Sequence, residues 1–127
     1  DASPLEPIFK PGLINSFQAL VNAVPMGNHL VEWVVRFIRD TRPEQSRFEE
    51  IRNLVEWGAG VRASQNIVRA ARARAVLDGS TAVRPEHIRA ILLPVLRHRL
   101  LLNFSAEAEQ WTSDRLIEWL IERTPFP

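Results

Sequence analysis

Apolar residues recur along this chain at steps of three and four, the spacing of helices with one buried face. The clearest case begins at Asn28, whose side chain can cap a helix, and ends at Arg42-Pro43. The same spacing predicts a first helix from about Gly12 to Ala23. It predicts a last helix from about Thr112, another capping residue, to Thr124. The first and the last helix of the domain are therefore expected from about Gly12 and from about Thr112.

The middle of the chain continues this pattern. A short apolar-periodic piece is expected from Phe48 to Trp57, and a long helix from Val61 to Asp78, followed by a helix-ending glycine. Small residues share one side of the long helix, which predicts close approach of another element: Ala63, Ser64, Ala71 and Ala75. A further helix begins at Pro85. The sequence does not fix where this helix ends, because Leu100 to Phe104 could either continue the helix or form a short extended piece.

Strand signals are confined to a few residues, and there is no internal repeat. We therefore predict an all-α fold, a small bundle of about five helices with at most a few residues of strand. Residues 1–11 contain three prolines and are expected to be an extended linker, so residues 12–127 would form the helical domain. We expect the tryptophans to anchor the core: Trp33, Trp57, Trp111 and Trp119.

Composition adds limits to this picture. The chain has 127 residues, 46% of them hydrophobic and 24% charged, which suits one ordinary globular domain. It has no cysteine, so disulfides and thiolate metal sites are excluded and a reducing compartment, the cytoplasm, is expected. No apolar run is long enough to predict a membrane span. The first residue is Asp1, and with the early prolines this suggests a piece of a longer protein.

The net charge of +1 conceals an uneven distribution. Residues 62–104 carry eight basic and two acidic side chains, whereas the segments on either side are acidic overall. Such a stretch keeps open one function class, a stand-alone helical nucleic-acid-binding module that uses residues 62–104 as its contact surface. An exposed basic surface without a specific role is the other interpretation.

Most catalytic chemistry lacks the residues it needs. A phosphate-cradling loop requires glycines followed by lysine, but the only lysine, Lys10, lies between Phe9 and Pro11. His29, His87 and His98 do not have the spacing of metal ligands, so no metal site is expected. No nucleophile and base occur together, and the chain by itself is not expected to be catalytic.

The segment Gly58 to Ser64 is the best candidate for chemistry. Two glycines precede a helix whose first turn carries Arg62, so that backbone N–H groups, the helix dipole and a guanidinium converge on one place. This arrangement outlines an anion site that includes Gly60, although an ordinary solvent-exposed arginine fits the pattern as well. Arg69 and Arg72 share the helix face of Arg62. They either support the same negative ligand, pair with acids on another domain, or are simply solvated.

Several segments, in order, resemble the C-terminal helical lid of the MoxR-type AAA+ ATPases from Leu5 to Pro127. The segments are Phe37-Ile38-Arg39-Asp40-Thr41-Arg42-Pro43, Trp57-Gly58-Ala59-Gly60-Val61-Arg62-Ala63-Ser64, Ala71-Arg72-Ala73-Arg74-Ala75-Val76-Leu77-Asp78-Gly79, Val83-Arg84-Pro85-Glu86-His87-Ile88 and Val95-Leu96-Arg97-His98-Arg99. The chain departs from the family pattern at Asp40, Val61 and Ser80, where Ala, Pro and Arg are usual. None of these positions is Arg62.

The resemblance implies a role for Arg62 as the counterpart of the sensor 2 residue, which reaches the γ-phosphate of ATP held by the preceding core. Gly60 and Arg69 would contribute to the same cofactor site, and ATP and Mg²⁺ would be used by the full-length protein. The resemblance also implies a chaperone-like machine that remodels or matures other proteins. Its partners would be the protein's own core, neighbouring subunits of a ring, and proteins with von Willebrand A-type domains.

Overall fold

The computed structural model describes residues 3–127, which form seven helices and a two-stranded sheet. In chain order the elements are α1 (Pro11–Ala23), α2 (Asn28–Asp40), α3 (Glu49–Leu54), β1 (Val55–Trp57), α4 (Val61–Leu77), α5 (Pro85–Leu96), β2 (Leu101–Leu102), α6 (Phe104–Ala108) and α7 (Ser113–Arg123). The predicted all-α bundle is confirmed. The number of helices exceeds the predicted five because the structure includes two short helices, α3 with six residues and α6 with five.

The small sheet accounts for the structure of two segments, Phe48 to Trp57 and Leu100 to Phe104. The piece predicted from Phe48 to Trp57 is helical only to Leu54, and the chain then becomes β1. This strand pairs antiparallel with β2, so the segment around Leu101 is extended instead of continuing α5. The Asn103 side chain holds the junction, since its Nδ2 donates to the Asn53 carbonyl (2.6 Å) and its Oδ1 accepts from the Ala106 N–H (3.0 Å).

Helix α4 lies at the centre of the fold and packs against α1, α2 and α5. The predicted small face is buried, because Ala71 and Ala75 are 0% exposed and Ala63 is 1% exposed. Alanine side chains let the helix axes approach closely, so the larger residues of α5, including Leu92 and Leu96, fill the space beside them. This packing leaves Arg62, Arg69 and Arg74 exposed on the other side of α4, whereas Arg72 is half-buried.

Helix α1 differs from the rest, because none of its residues is buried. Its predicted apolar stripe exists, but Leu13, Ile14, Phe17 and Leu20 remain between 43% and 53% exposed. The described residues before it, 3–10, are non-helical and exposed, and α1 begins at Pro11, the last residue of the expected linker. Asp1 and Ala2 lie outside the described residues, and the link to a preceding domain stays a prediction. Exposed apolar patches of this kind mark surfaces for other protein domains.

The four tryptophans, all predicted to lie in the core, differ in how far they are buried. Trp33 is 2% exposed and stacks on Phe126 with ring centroids 4.1 Å apart, while Trp111 and Trp119 are half-buried. Trp57 is 69% exposed, so its assignment to the core is wrong. The pairing register shifts between Val55 and Trp57. Such an irregularity re-aims the following side chain, and here the tryptophan lies on the outer surface.

Asp40, one of the departures from the family pattern, is a buried acid at the end of α2. Its side chain is 4% exposed, and the carboxylate lies 2.6 Å from Nη2 of Arg47. It also accepts from the Arg47 backbone N–H at 3.2 Å and from Arg47 Nε. These side-chain hydrogen bonds raise the pKa of the Arg47 guanidinium, although partial burial opposes the shift. The arginine therefore offsets the cost of a buried carboxylate at a helix C-terminus.

None of the helices between residues 3 and 127 combines the length and the apolar character needed to cross a bilayer.

Loss of Arg47 and loss of Asp40 should lower the free energy of unfolding by different amounts. Arg47→Ala strands the buried carboxylate and should lower the free energy of unfolding by about 1–3 kcal/mol. Asp40→Ala removes the charge itself and should cost less, and in that background Arg47→Ala should cost almost nothing. Urea unfolding of the two single variants and the double variant measures this, with Arg36→Ala as a control at an exposed arginine. Equal, additive losses would contradict the proposed compensation.

Candidate functional site

The last turn of α2 and the loop before α4 are joined through the peptide groups of Ala59. Thr41 Oγ1 accepts a hydrogen bond from the Ala59 N–H at 3.0 Å and donates to the Ile38 carbonyl at 2.6 Å. Arg42 Nε donates to the Ala59 carbonyl at 2.8 Å. Both polar backbone groups of a fully buried residue are thus satisfied by α2. We call these contacts the α2–loop junction.

Gly58 allows the two backbones to come this close. A Cβ at this position would lie 2.5 Å from the Thr41 carbonyl oxygen and 2.6 Å from Arg42 Cα. Because both neighbours are backbone atoms, no side-chain rotation could relieve the clash. Gly60 is different: a Cβ there would meet nothing within 4 Å, and its φ of −83° and ψ of 179° suit any residue. Gly60 therefore leaves open space at the start of α4.

Arg62, the predicted anion-binding residue, lies exposed in the first turn of α4. No salt bridge within residues 3–127 includes it. Gly60, the N-cap residue, offers no side-chain cap to the amides of this turn. Arg62 is thus an exposed guanidinium at the start of α4, where the Ala63 N–H donates to the Gly60 carbonyl at 3.0 Å.

The three arginines predicted to share one face of α4 have different surroundings. Arg69 follows Arg62 by seven residues, about 10 Å along the axis. With Asn66 it lines a groove of about 690 Å³ between α1 and α4. Arg72 instead lines a groove of about 730 Å³ between α2 and α4, and Arg69 reaches both grooves. Arg69 therefore lies beside both grooves, Arg72 lines the groove next to α2, and Arg62 lines neither groove.

Gly60 also borders a smaller cavity of about 460 Å³, together with Arg42, Glu44, Glu56 and Trp57. Two glutamates among its walls make this cavity unfavourable for a phosphate, since like charges repel. Arg62 is not among its lining residues. The exposed Trp57 therefore stands beside a partly acidic cavity, and an anion site at Arg62 lies outside that cavity.

Other charged residues of the family-like segments have contacts within the chain. Arg97 makes two hydrogen bonds of 3.0 Å to the Asp114 carboxylate and so joins the end of α5 to the start of α7. Arg99 donates to the carbonyl of Val95 at 3.1 Å. His87 is buried, and its Nδ1 accepts from the Arg84 N–H at 2.9 Å. No group of potential metal ligands occurs among the described residues.

Sequence reasoning did not find Thr41 and Arg42 as the residues that position the site. Both belong to the segment Phe37 to Pro43 that carries the family resemblance, and that was the available signal. Their hydrogen bonds to Ala59 cross 17 and 18 residues, which helical periodicity does not report. The same holds for the Arg97–Asp114 pair.

The two glycines provide a matched pair for testing the α2–loop junction. Gly58→Ala should lower the free energy of unfolding by about 1–3 kcal/mol, because the added methyl group overlaps backbone. Gly60→Ala should change it by less than about 1 kcal/mol, since loss of a glycine cap is offset by a less flexible unfolded chain. Chemical denaturation followed by circular dichroism compares them. A similar effect of both substitutions would show that the close approach is unimportant.

Comparison with known proteins places this arrangement in a family. The profile of the AAA lid domain matches residues 47–119, more than half of the chain. Chaperone MoxR1 from Mycobacterium tuberculosis is 35% identical over 99 residues, which is 77% of this chain and 26% of that protein. Protein MoxR from Paracoccus denitrificans is 48% identical over 50 residues, 39% of this chain and 15% of that protein.

A solved structure agrees with these relatives. The crystal structure of a protein from Cytophaga hutchinsonii, assigned as an ATPase, superposes with a TM-score of 0.80 at 28% identity. The match covers 86% of this chain and 33% of that one. This chain therefore spans about a quarter of Chaperone MoxR1 and about a third of the Cytophaga hutchinsonii protein. From the profile match and the shared fold, the chain belongs to the AAA lid domain family and is the C-terminal lid domain of a MoxR-family AAA+ ATPase.

Proposed function

We propose that this lid supplies Arg62 to the γ-phosphate of ATP bound by the ATPase core of the full-length protein. One observation supports this most directly: an exposed arginine without a salt bridge in residues 3–127 lies in the first turn of α4, at the positive end of the helix dipole. These groups fit an anion and not a metal ion. Mg²⁺ would accordingly be held by the core and by the nucleotide, since the described residues contain no cluster of metal ligands.

The charge of Arg62 explains how the lid can affect hydrolysis. ATP with Mg²⁺ supplies a phosphoryl group whose negative charge is spread over its oxygens during transfer. A guanidinium held beside those oxygens stabilises that charge, and arginines in comparable positions accelerate hydrolysis by roughly 10³ to 10⁵. Gly60 leaves the front of the helix accessible. Arg69 adds positive potential farther along the same face.

The exposed apolar face of α1 supports a contact between this lid and the ATPase core. Leu13, Ile14, Phe17 and Leu20 lie about half exposed on a helix that itself packs on α4. A core that covered this face would bury them and would link α1 to the helix that carries Arg62. Nucleotide hydrolysis would then rotate the lid against the core and against a neighbouring subunit of an oligomeric ring.

The wider activity follows the family. We propose that the full-length protein is a chaperone-like ATPase that remodels or matures partner proteins in the cytoplasm, including proteins with von Willebrand A-type domains. The nucleic-acid alternative has less support, because the basic stretch 62–104 does not present all its charges. Arg74 pairs with Asp78 and Arg97 pairs with Asp114, so both charges are partly neutralised within the lid.

Arg62→Ala in the full-length protein tests the proposal. The kcat for ATP hydrolysis should fall by about 10² to 10³, because a positive group is lost where negative charge develops. The thermal midpoint of unfolding should change by no more than a few degrees, since an exposed side chain without a partner contributes little to folding. Arg89→Ala removes another exposed arginine and serves as the control. An unchanged kcat in Arg62→Ala would exclude this arginine from the reaction.

A further inference from the structure

The groove between α2 and α4 has a floor of aliphatic side chains. We call it the α2–α4 groove, and it has a volume of about 730 Å³. Two of its apolar residues, Val35 and Val61, are 44% and 67% exposed. The full aliphatic set comprises Val31, Val34, Val35, Ile38, Val61 and Val68. A groove of this composition can bind apolar side chains of a ligand.

The charged residues of the groove are all positive. Arg39, Arg42, Arg69 and Arg72 line it, and no acidic residue does. Arg42 is occupied by the Ala59 carbonyl and by Gln45. The other three arginines take no part in the salt bridges formed within residues 3–127. The groove is therefore complementary to negative charge.

Arg72 gives a second, independent indication of a ligand. Its Nε is buried and has no hydrogen-bond acceptor among the residues that the structure describes. Buried N–H groups are almost always paired, because water can no longer satisfy them. A carboxylate entering the α2–α4 groove from outside would supply the missing acceptor. It could also bind the remaining guanidinium N–H groups in a bidentate way.

The shape of the groove favours a polypeptide. Its α4 wall extends from Val61 to Arg72, about 16 Å, which is three turns of a helix. Apolar anchors over a hydrophobic floor, with charges at the edge, are the usual features of helix-in-groove recognition. Free phosphate and the nucleic-acid backbone also complement arginines, but neither would cover the exposed Val35 and Val61 side chains.

We propose that the α2–α4 groove binds an acidic amphipathic helix of a partner protein. Its apolar residues would lie on the aliphatic floor, and its carboxylates would pair with Arg39, Arg69 and Arg72. A second copy of the described lid fits less well: its exposed apolar helix is α1, which contains no Asp or Glu. Arg62 does not line the groove, and Arg39 and Arg72 lie outside the proposed ATP contact, so the two sites share only Arg69.

A designed peptide tests this in the full-length protein. The probe is a fluorescent helix of about five turns with leucines at i, i+3, i+4 and i+7 and glutamates beside them. Fluorescence anisotropy should show saturable binding. The Arg39→Glu/Arg72→Glu double variant should weaken it by about tenfold or more. Arg36→Glu/Arg89→Glu, at exposed arginines outside the groove, should leave it unchanged, and so should Arg62→Ala.

Two control probes distinguish an acidic helix from other ligands of the groove. A peptide with lysines in place of the glutamates should not bind measurably, and single-stranded DNA should not compete. Val35→Asp provides a second variant whose folding is not at risk, because this side chain is 44% exposed. It should also weaken the acidic peptide about tenfold by repulsion. Absence of saturable binding, equal binding of the lysine peptide, stronger binding of DNA, or no effect of Val35→Asp would each overturn the proposal.

Discussion

The close contact between Gly58 and the end of α2 sets the geometry on which the rest of this lid depends. With no side chain at Gly58, the loop lies against the Thr41 and Arg42 backbones, and both polar groups of Ala59 find partners there. Helix α4 begins two residues later and is then packed between its neighbours. Any displacement of this junction would therefore move Arg62 and the walls of both α4 grooves together.

Helix α4 divides its residues between folding and chemistry. Its alanines face α5, and their small size allows the close packing that holds the bundle together. Arg62, Arg69 and Arg74 are exposed, which avoids the cost of burying charge, whereas Arg72 is half-buried. Some arginines of the lid are paired, as Arg47 is with Asp40, Arg97 with Asp114 and Arg74 of α4 with Asp78. Three other arginines of α4, Arg62, Arg69 and Arg72, take part in no salt bridge within residues 3–127, and the proposed contacts are assigned to these three.

Features encoded locally could be predicted from the sequence, and features that join distant segments could not. The end of α4 was predictable because Gly79 adopts the left-handed conformation, φ 70°, that glycine favours at a helix C-terminus. The exposure of Arg62 followed from helical spacing. The pairing of Val55 with Leu102, across 47 residues, left no periodic signal, and neither did the outward position of Trp57. The Asp40–Arg47 pair spans only seven residues, but it depends on the turn after α2, which periodicity does not predict, and the burial of the Arg72 Nε depends on packing against other elements.

We propose that the α2–loop junction acts on catalysis by positioning Arg62. A double-mutant cycle on the kcat of ATP hydrolysis measures this, with Gly58→Ala and Arg62→Ala made singly and together in the full-length protein at a temperature where all variants are folded. Gly58→Ala should lower kcat when Arg62 is present and should have little further effect on kcat when Arg62 is replaced by alanine. Independent, multiplicative losses would contradict the proposal.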